Sequence, residues 1–331
     1  MMKVNEQIMK IKKLVNGYKT TYIMVAAAKI GLFSHLSVEG KSAETIAEEL
    51  NLEVEKIEPL LNALAYFEII EKKDDKFGLE KYADVLNSES ENCQLGYIAH
   101  ASNMAEKWRH LESAVQEKNV SSENFSEVTG TDISATRAFL EAMNVNAIPQ
   151  VKYLVEKFDF SKRKFIDIGA GYGTYSVGVA QAYKDSEGIA FDLPLAAQII
   201  EQNVEKHNVQ DRVRVLSGTY KKDLPNMEFD DAFLFAVIHQ ENSNDTEILI
   251  KETFKRLKAG GRLFLTSFFL DDNKIEPEFS VLFGVEMLVA SKTGKVYSHS
   301  EIKKIMKDAG FVRIDCYRDI PGPATLYVAE K

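Results

Sequence analysis

The sequence is poor in the residues that staple small or extracellular folds together. Its 331 residues include two cysteines, Cys93 and Cys316, far apart and outside any CxxC or CxH spacing. That excludes a disulfide framework and gives no zinc-binding pattern. No apolar run approaches the roughly 20 residues of a membrane helix, because the longest, DAFLFAVIH, is about half that length. The N-terminal MMKVNEQIMKIKKLVNG carries charges through its apolar positions, so the unbroken stretch of a secretory signal is missing. Basic residues are in deficit: 41 Lys and Arg against 50 Asp and Glu leave a net charge of -9, a field that repels phosphate backbones and acidic membrane surfaces. What remains is 45% hydrophobic and 27% charged, ordinary for a folded globular protein. The expectation is a cytoplasmic protein with neither nucleic acid nor membrane as a partner.

Residues 3 to 36 place Ile8, Ile11, Leu14, Val15, Tyr18, Tyr22 and Val25 at helical spacing, which predicts one long helix with a broad apolar face. SAETIAEEL, opened by Ser42, and VEKIEPLLNALAYFEII read as two further helices, and EKKDDKFGL as a small hairpin. Helix, helix and two-stranded wing suggest a winged helix. Its candidate recognition helix opens with Glu53, Glu55 and Glu58 against Lys56 alone, an acidic face that favours packing or dimerisation over DNA reading. Residues 93 to 158 read as helical around the loop SSENFSEVTGTD. From Arg163 the texture changes, and short β-rich runs (KFIDI, EGIAFD, RVRVLSG, DAFLFAVI, GRLFLTSFF) alternate with helical stretches. That alternation predicts parallel strands joined by crossover helices. At the end, FVRIDCYR and TLYVAEK around PGP predict an antiparallel hairpin on the sheet.

The stretch FIDIGAGYGTYS puts Gly169, Gly171 and Gly173 at alternate positions behind an apolar strand, with Asp167 two residues before the first. Such a loop lets a ligand approach bare main chain, and the helix beginning near Thr174 offers free N–H groups and a positive dipole end. The hydride-transfer fingerprint is GxGxxG, whereas here Thr174 stands where its last glycine falls, which disfavours NAD. One helix and one strand later, Asp192 ends GIAFD, where a carboxylate can accept both hydroxyls of a ribose. Loop and acid in register favour a nucleoside ligand.

DIGAGYG, FDLP, SGTY, VIHQENSND and LKAGGRLFL, in that order, resemble the small-molecule O-methyltransferases of the plant caffeate and hydroxyindole (acetylserotonin) type, which use S-adenosylmethionine. The resemblance extends over nearly the whole chain. It implies a Rossmann-like α/β domain over residues 161–331, with a mostly parallel seven-stranded sheet ending in an antiparallel hairpin. It further implies a winged-helix dimerisation domain over residues 1–92 and a helical segment over residues 93–160 that lines the substrate pocket. By position, Asp167, Gly169 and Gly171 match the loop around the methionine part of the cofactor, Asp192 the ribose ligand and Leu193 an adenine neighbour. The family has Gly-Asp and then an aromatic residue or Met beside the adenine. This chain has Gly218-Thr219-Tyr220, so Thr219 can hydrogen-bond without charge and Tyr220 can stack or serve as a core aromatic.

His239 follows DAFLFAVI at its C-terminal end, where open α/β sheets bind ligands, and matches the family's catalytic histidine. It is the proposed general base for a hydroxyl acceptor. The plant enzymes follow that histidine with Asp-Trp and place acids near it. Here Gln240-Glu241 follow, and the matching acid positions are Ser267 and Val296, neither able to orient an imidazolium. Glu241, Asp271 and Glu286 are the carboxylates left to substitute. Trp108, Met143, Asn144, Asn146 and Met287 match pocket-lining positions and suit a flat, partly polar acceptor, although a methionine also fills irregular core gaps.

The sequence thus points to a homodimeric, S-adenosylmethionine-dependent methyltransferase acting on a small molecule, at oxygen, without a metal. Two other readings stay open. One keeps the cofactor site and moves the methyl group to sulfur, nitrogen or carbon, with His239 positioning the acceptor. The other is a regulator that senses the cofactor through its winged helix.

Overall fold

The computed structural model describes residues 4–90, 92–116 and 132–331. Most of the SSENFSEVTGTD loop lies outside them. The chain divides into two compact units, Met1–Glu106 and Lys107–Lys331.

In the first unit the expected long helix is two, α1 (Val4–Val15) and α2 (Tyr18–Lys29). Asn16 and Gly17 separate them, the Asn16 amide donating to the Lys12 carbonyl and so capping the turn locally instead of extending it. No α1 residue is buried. After a 3-10 turn come β1 (Lys41–Ser42), α3 (Ala43–Leu50), α4 (Val54–Tyr66), β2 (Glu71–Lys73) and β3 (Lys76–Gly78). Ser42 caps α3 by accepting from the Thr45 N–H at 3.3 Å. Asp74 and Asp75, both at positive φ (47° and 62°), make the tight turn that a two-residue hairpin requires. The strands pair antiparallel in the order β1-β3-β2, and Leu32, Ile46, Ile57, Leu61, Leu64 and Phe77 form the core. Glu53, Glu55 and Glu58 stay exposed on α4. Two short helices close this part, α5 (Ala83–Leu86) and α6 (Leu95–Trp108).

The second unit continues with α7 (Leu111–Val115) and α8 (Ile133–Lys157). It then alternates β4 (Lys164–Ile168), α9 (Thr174–Ala182), β5 (Glu187–Asp192), α10 (Pro194–Lys206), β6 (Val213–Ser217), β7 (Phe229–Phe235), α11 (Ser243–Arg256) and β8 (Leu257–Ser267). Helices α12 (Glu278–Ala290) and α13 (His299–Ala309) precede β9 (Arg313–Tyr317) and β10 (Thr325–Glu330). The sheet order is β6-β5-β4-β7-β8-β10-β9; β4 to β8 run parallel, and β10 lies antiparallel between β8 and β9. Alternate residues of each strand face opposite sides, so Ile166, Leu234 and Leu263 join one core and Phe165, Phe233 and Phe264 the other. From β4 the chain winds outward to β6 and then returns to place β7 on the other side of β4. That reversal puts the topological switch point at the carboxyl ends of β4 and β7, the place where such sheets bind ligands. Among the described residues no helix is long and apolar enough to cross a membrane.

Candidate active site

The loop after β4 is shaped by contacts that leave no room for a side chain. Gly169, at φ +74°, donates its N–H to the Phe191 carbonyl at 2.8 Å. A Cβ there would stand 2.6 Å from Val237 Cγ2, and one on Gly173 would stand 2.9 Å from Ile200 Cγ2. The loop therefore lies flat across the tips of β4 and β5. Asp192 holds it: Oδ2 accepts the Gly171 N–H at 2.7 Å and Oδ1 the Leu193 N–H at 2.6 Å. Burial nevertheless pushes the Asp192 carboxyl up to about 6, against the pull of those two donors.

Asp167, at the end of β4, is 1% exposed. Its Oδ2 accepts from the Ser176 hydroxyl on α9 at 2.8 Å, while Oδ1 accepts nothing among the described residues. Burial first, and the charge of Asp192 after it, raise its pKa to about 7. A buried and a half-buried carboxylate meet here, neither paired with a cation among the described residues, beside the open main chain of Gly171. The donor set fits a ligand that brings its own hydroxyls and positive charge.

The third strand tip differs from expectation in one respect. Thr219 is exposed, and both its N–H (2.8 Å) and its hydroxyl (3.2 Å) donate to Asp223 Oδ2. A carboxylate four residues further on thus returns to the position that the sequence made uncharged. Tyr220 is half-buried; its hydroxyl lacks a hydrogen-bond partner among the described residues, and burial, followed by the Glu241 charge, raises its pKa.

At the end of β7 the chain turns through Ala236 at φ 56° into a 3-10 turn, Ile238–Gln240, that carries His239. Lys295 N–H holds the His239 carbonyl at 2.9 Å. The imidazole is 7% exposed, and its Nδ1 faces the Ser267 hydroxyl, at the end of β8, across 3.4 Å. Phe283 of α12 meets the ring edge-on at 4.9 Å between centroids, and Phe268 lies at 5.8 Å. Burial alone lowers the His239 pKa to about 4, so the ring is neutral at physiological pH. Among the described residues none of the three substitute carboxylates hydrogen-bonds to it: Asp271 is held by Arg318 at 2.9 Å and lies 3.7 Å from His299, Glu286 takes the Trp108 indole N–H, and Glu241 lies beside Tyr220. Val296 is buried and apolar.

The remaining sequence candidates divide. Met287 is buried on α12, the helix that brings Phe283 to His239. On α8, Met143 and Asn144 are half-buried, and Asn144 Oδ1 accepts a short hydrogen bond from the Thr174 hydroxyl at the start of α9, which ties that helix to the glycine loop. Asn146 is exposed. The sequence reading missed Asp223, Phe268, Phe279 and Phe283, which the folded chain brings to these tips.

Residues 108–312 match the family model described as the O-methyltransferase domain. The chain belongs to that family, and it is a methyltransferase. A methyltransferase of Serratia sp., PigF, described as S-adenosyl-L-methionine-dependent, is 27% identical over 326 residues, covering 95% of this chain and 93% of its own. The bacteriochlorophyllide d C-20 methyltransferase of Chlorobaculum tepidum is 28% identical over 78% of each chain. Among solved structures, PigF with SAH superposes with a TM-score of 0.87 at 24% identity, covering 100% of both chains. Human N-acetylserotonin methyltransferase in complex with SAM gives 0.85 at 18% identity, over 100% of this chain and 98% of its own. These likenesses carry the α/β fold with its helical N-terminal region.

Proposed function

We propose that this methyltransferase moves a methyl group from S-adenosylmethionine to a hydroxyl oxygen of a small, flat acceptor, with His239 as the general base. The observation that carries the reading is the pair of carboxylates at the tips of β4 and β5, Asp167 buried and Asp192 half-buried, neither paired with a cation among the described residues, beside a strand that ends in a buried imidazole. Bound there, S-adenosylmethionine supplies a methyl group on a positively charged sulfur. Asp192 accepts the ribose hydroxyls with the lone pairs its two N–H partners leave free. Asp167 Oδ1 lacks a donor and receives the positive charge of the amino-acid tail, which rests on Gly169 and Gly171. Leu193 and Tyr220 flank the adenine, and Asp223, held at Thr219, offers it an acceptor.

His239 takes the acceptor's proton at the nitrogen that Ser267 does not face. Ser267 orients the ring but cannot stabilise an imidazolium as a carboxylate does, and burial works against the charge. Such a base is matched to an acceptor more acidic than tyrosine, whose own pKa is about 10. Alignment and exclusion of water supply the rest of the rate; Met143, Asn144, Met287 and Trp108 shape the acceptor side, with Asn146 at its margin. A second copy of the chain covers α1, whose Ile8, Ile11, Leu14 and Val15 are otherwise exposed. Light scattering should give twice the chain mass for the native protein and the single mass for Leu14→Glu; a native monomer refutes this.

The neutral partner of His239 also favours a second reading, in which the acceptor is carbon, nitrogen or sulfur and the imidazole only positions it. A screen of phenols, thiols and amines for formation of S-adenosylhomocysteine, repeated with His239→Gln, separates the two. For a general base the variant loses about 10²- to 10⁴-fold in kcat, and high pH restores part of it. A loss under tenfold that is flat with pH leaves the positioning role.

A further inference from the structure

The aromatic wall around His239 carries one charged side chain. Phe279, Phe283 and Glu286 stand at i, i+4 and i+7 of α12, on one helix face. Phe279 and Phe283 stack at 6.0 Å, Phe268 packs on each at 4.8 Å, and Phe283 meets the imidazole at 4.9 Å. Glu286 follows Phe283 by about one turn, roughly 4.5 Å along the axis, and precedes the buried Met287. Its carboxylate is half-buried; the Trp108 indole N–H donates to it, and Lys107 is the cation near it.

A carboxylate has about four acceptor sites, and an indole fills one. The others stay partly accessible, and so open to a donor that enters beside an aromatic wall with none of its own to give. Resting on the function proposed above, we propose that Glu286 selects the acceptor: it takes an N–H, from an ammonium or a nitrogen heterocycle, that the acceptor carries away from the hydroxyl meeting His239. The residue binds and orients, and takes no part in the proton transfer.

Two isosteric pairs test this by calorimetry on the full-length protein saturated with S-adenosylhomocysteine: tyramine against 4-ethylphenol for the ammonium, and 5-hydroxyindole against 5-hydroxybenzofuran for the heterocycle. The expected result is that the N–H member of one pair binds about 10- to 100-fold tighter, the range for hydrogen bonds to a charged group. Glu286→Gln, which keeps an acceptor for Trp108, should cut a tyramine preference at least tenfold, and Glu286→Leu should abolish a hydroxyindole preference. Affinities for S-adenosylhomocysteine and for the members without N–H should stay the same. No preference in the wild type, including binding by neither member, overturns the proposal, as does a preference that survives both variants. Failure of S-adenosylhomocysteine itself to bind the wild type defeats the functional reading and this one with it, whereas normal binding with no selectivity defeats the role of Glu286 alone.

Discussion

The two ends of the large sheet hold aspartates in opposite states of pairing. At the amino end, Asp231 is wholly buried and accepts four hydrogen bonds from two guanidiniums: Arg163 at 2.5 and 2.9 Å, and Arg262 at 2.7 and 2.9 Å. At the carboxyl end, Asp167 and Asp192 receive a hydroxyl and two backbone N–H groups, with no guanidinium or ammonium donor among the described residues. Both ends pay the desolvation of a carboxylate. Only the amino end compensates it within the chain. A charge that the fold needs for itself is neutralised internally, and one that the proposed function gives to a ligand is left short of its partner.

The comparison breaks most visibly if the amino end is disarmed. Asp231→Ala leaves two guanidiniums facing each other without their acceptor, and breaking such a buried group costs about 3–5 kcal/mol. The melting temperature should then fall by roughly 6–20 °C, while the protein that remains folded binds S-adenosylhomocysteine within about threefold of wild type. A drop under about 2 °C would show that Asp231 does not anchor the sheet.

The same surgery at the carboxyl end should act on the ligand. Asp192→Asn keeps the shape and removes the charge that two hydroxyls would share, so affinity for S-adenosylhomocysteine should weaken about 10- to 100-fold by calorimetry. Its melting temperature without ligand should change little, because a charge without a counter-ion has gone while the amide oxygen can accept only one of the two backbone N–H groups that the carboxylate held. Unchanged affinity would remove Asp192 from the cofactor site.

How much of this could be read from the sequence depended on how local the signal was. KFIDI and EGIAFD are strands with the bounds the sequence suggests, since buried parallel strands are short apolar runs with abrupt ends. The glycine loop and Asp192 were legible together because one strand, one helix and one strand fix their spacing. Ser267, found through the family's motif order, faces His239 in the folded chain. The break at Asn16 was not legible, because the apolar spacing runs straight through it and a single side-chain hydrogen bond decides. Asp223 depends on a turn closing back on Thr219, which spacing cannot announce. The wall of Phe268, Phe279 and Phe283 was hidden for another reason: EFSVLFGVEMLVA is apolar on nearly every side, so periodicity singles out no face.

The smallest effect sharpens the contrast within the carboxyl end, between its acids and its imidazole. Asp167 and Asp192 have folded pKa values raised to about 7 and about 6. Between about pH 4 and those values the folded state holds protons that the unfolded state has released, so their contribution to stability falls as pH rises. His239, lowered to about 4, does the reverse: from about pH 4 to 6.5 the unfolded state binds the extra proton, and stability rises with pH. Among these three groups two falls outweigh one rise, so their joint contribution to stability declines from pH 4.5 to 7. Each group changes that slope by at most about 1.4 kcal/mol per pH unit. Asp167→Asn should flatten the decline and His239→Gln should steepen it, and saturating S-adenosylmethionine, by favouring the ionised acids, should flatten it as Asp167→Asn does. Thermal melts across that range decide the matter, since slopes that move the same way in both variants would mean that the fold does not hold the acids and the imidazole in opposite protonation states.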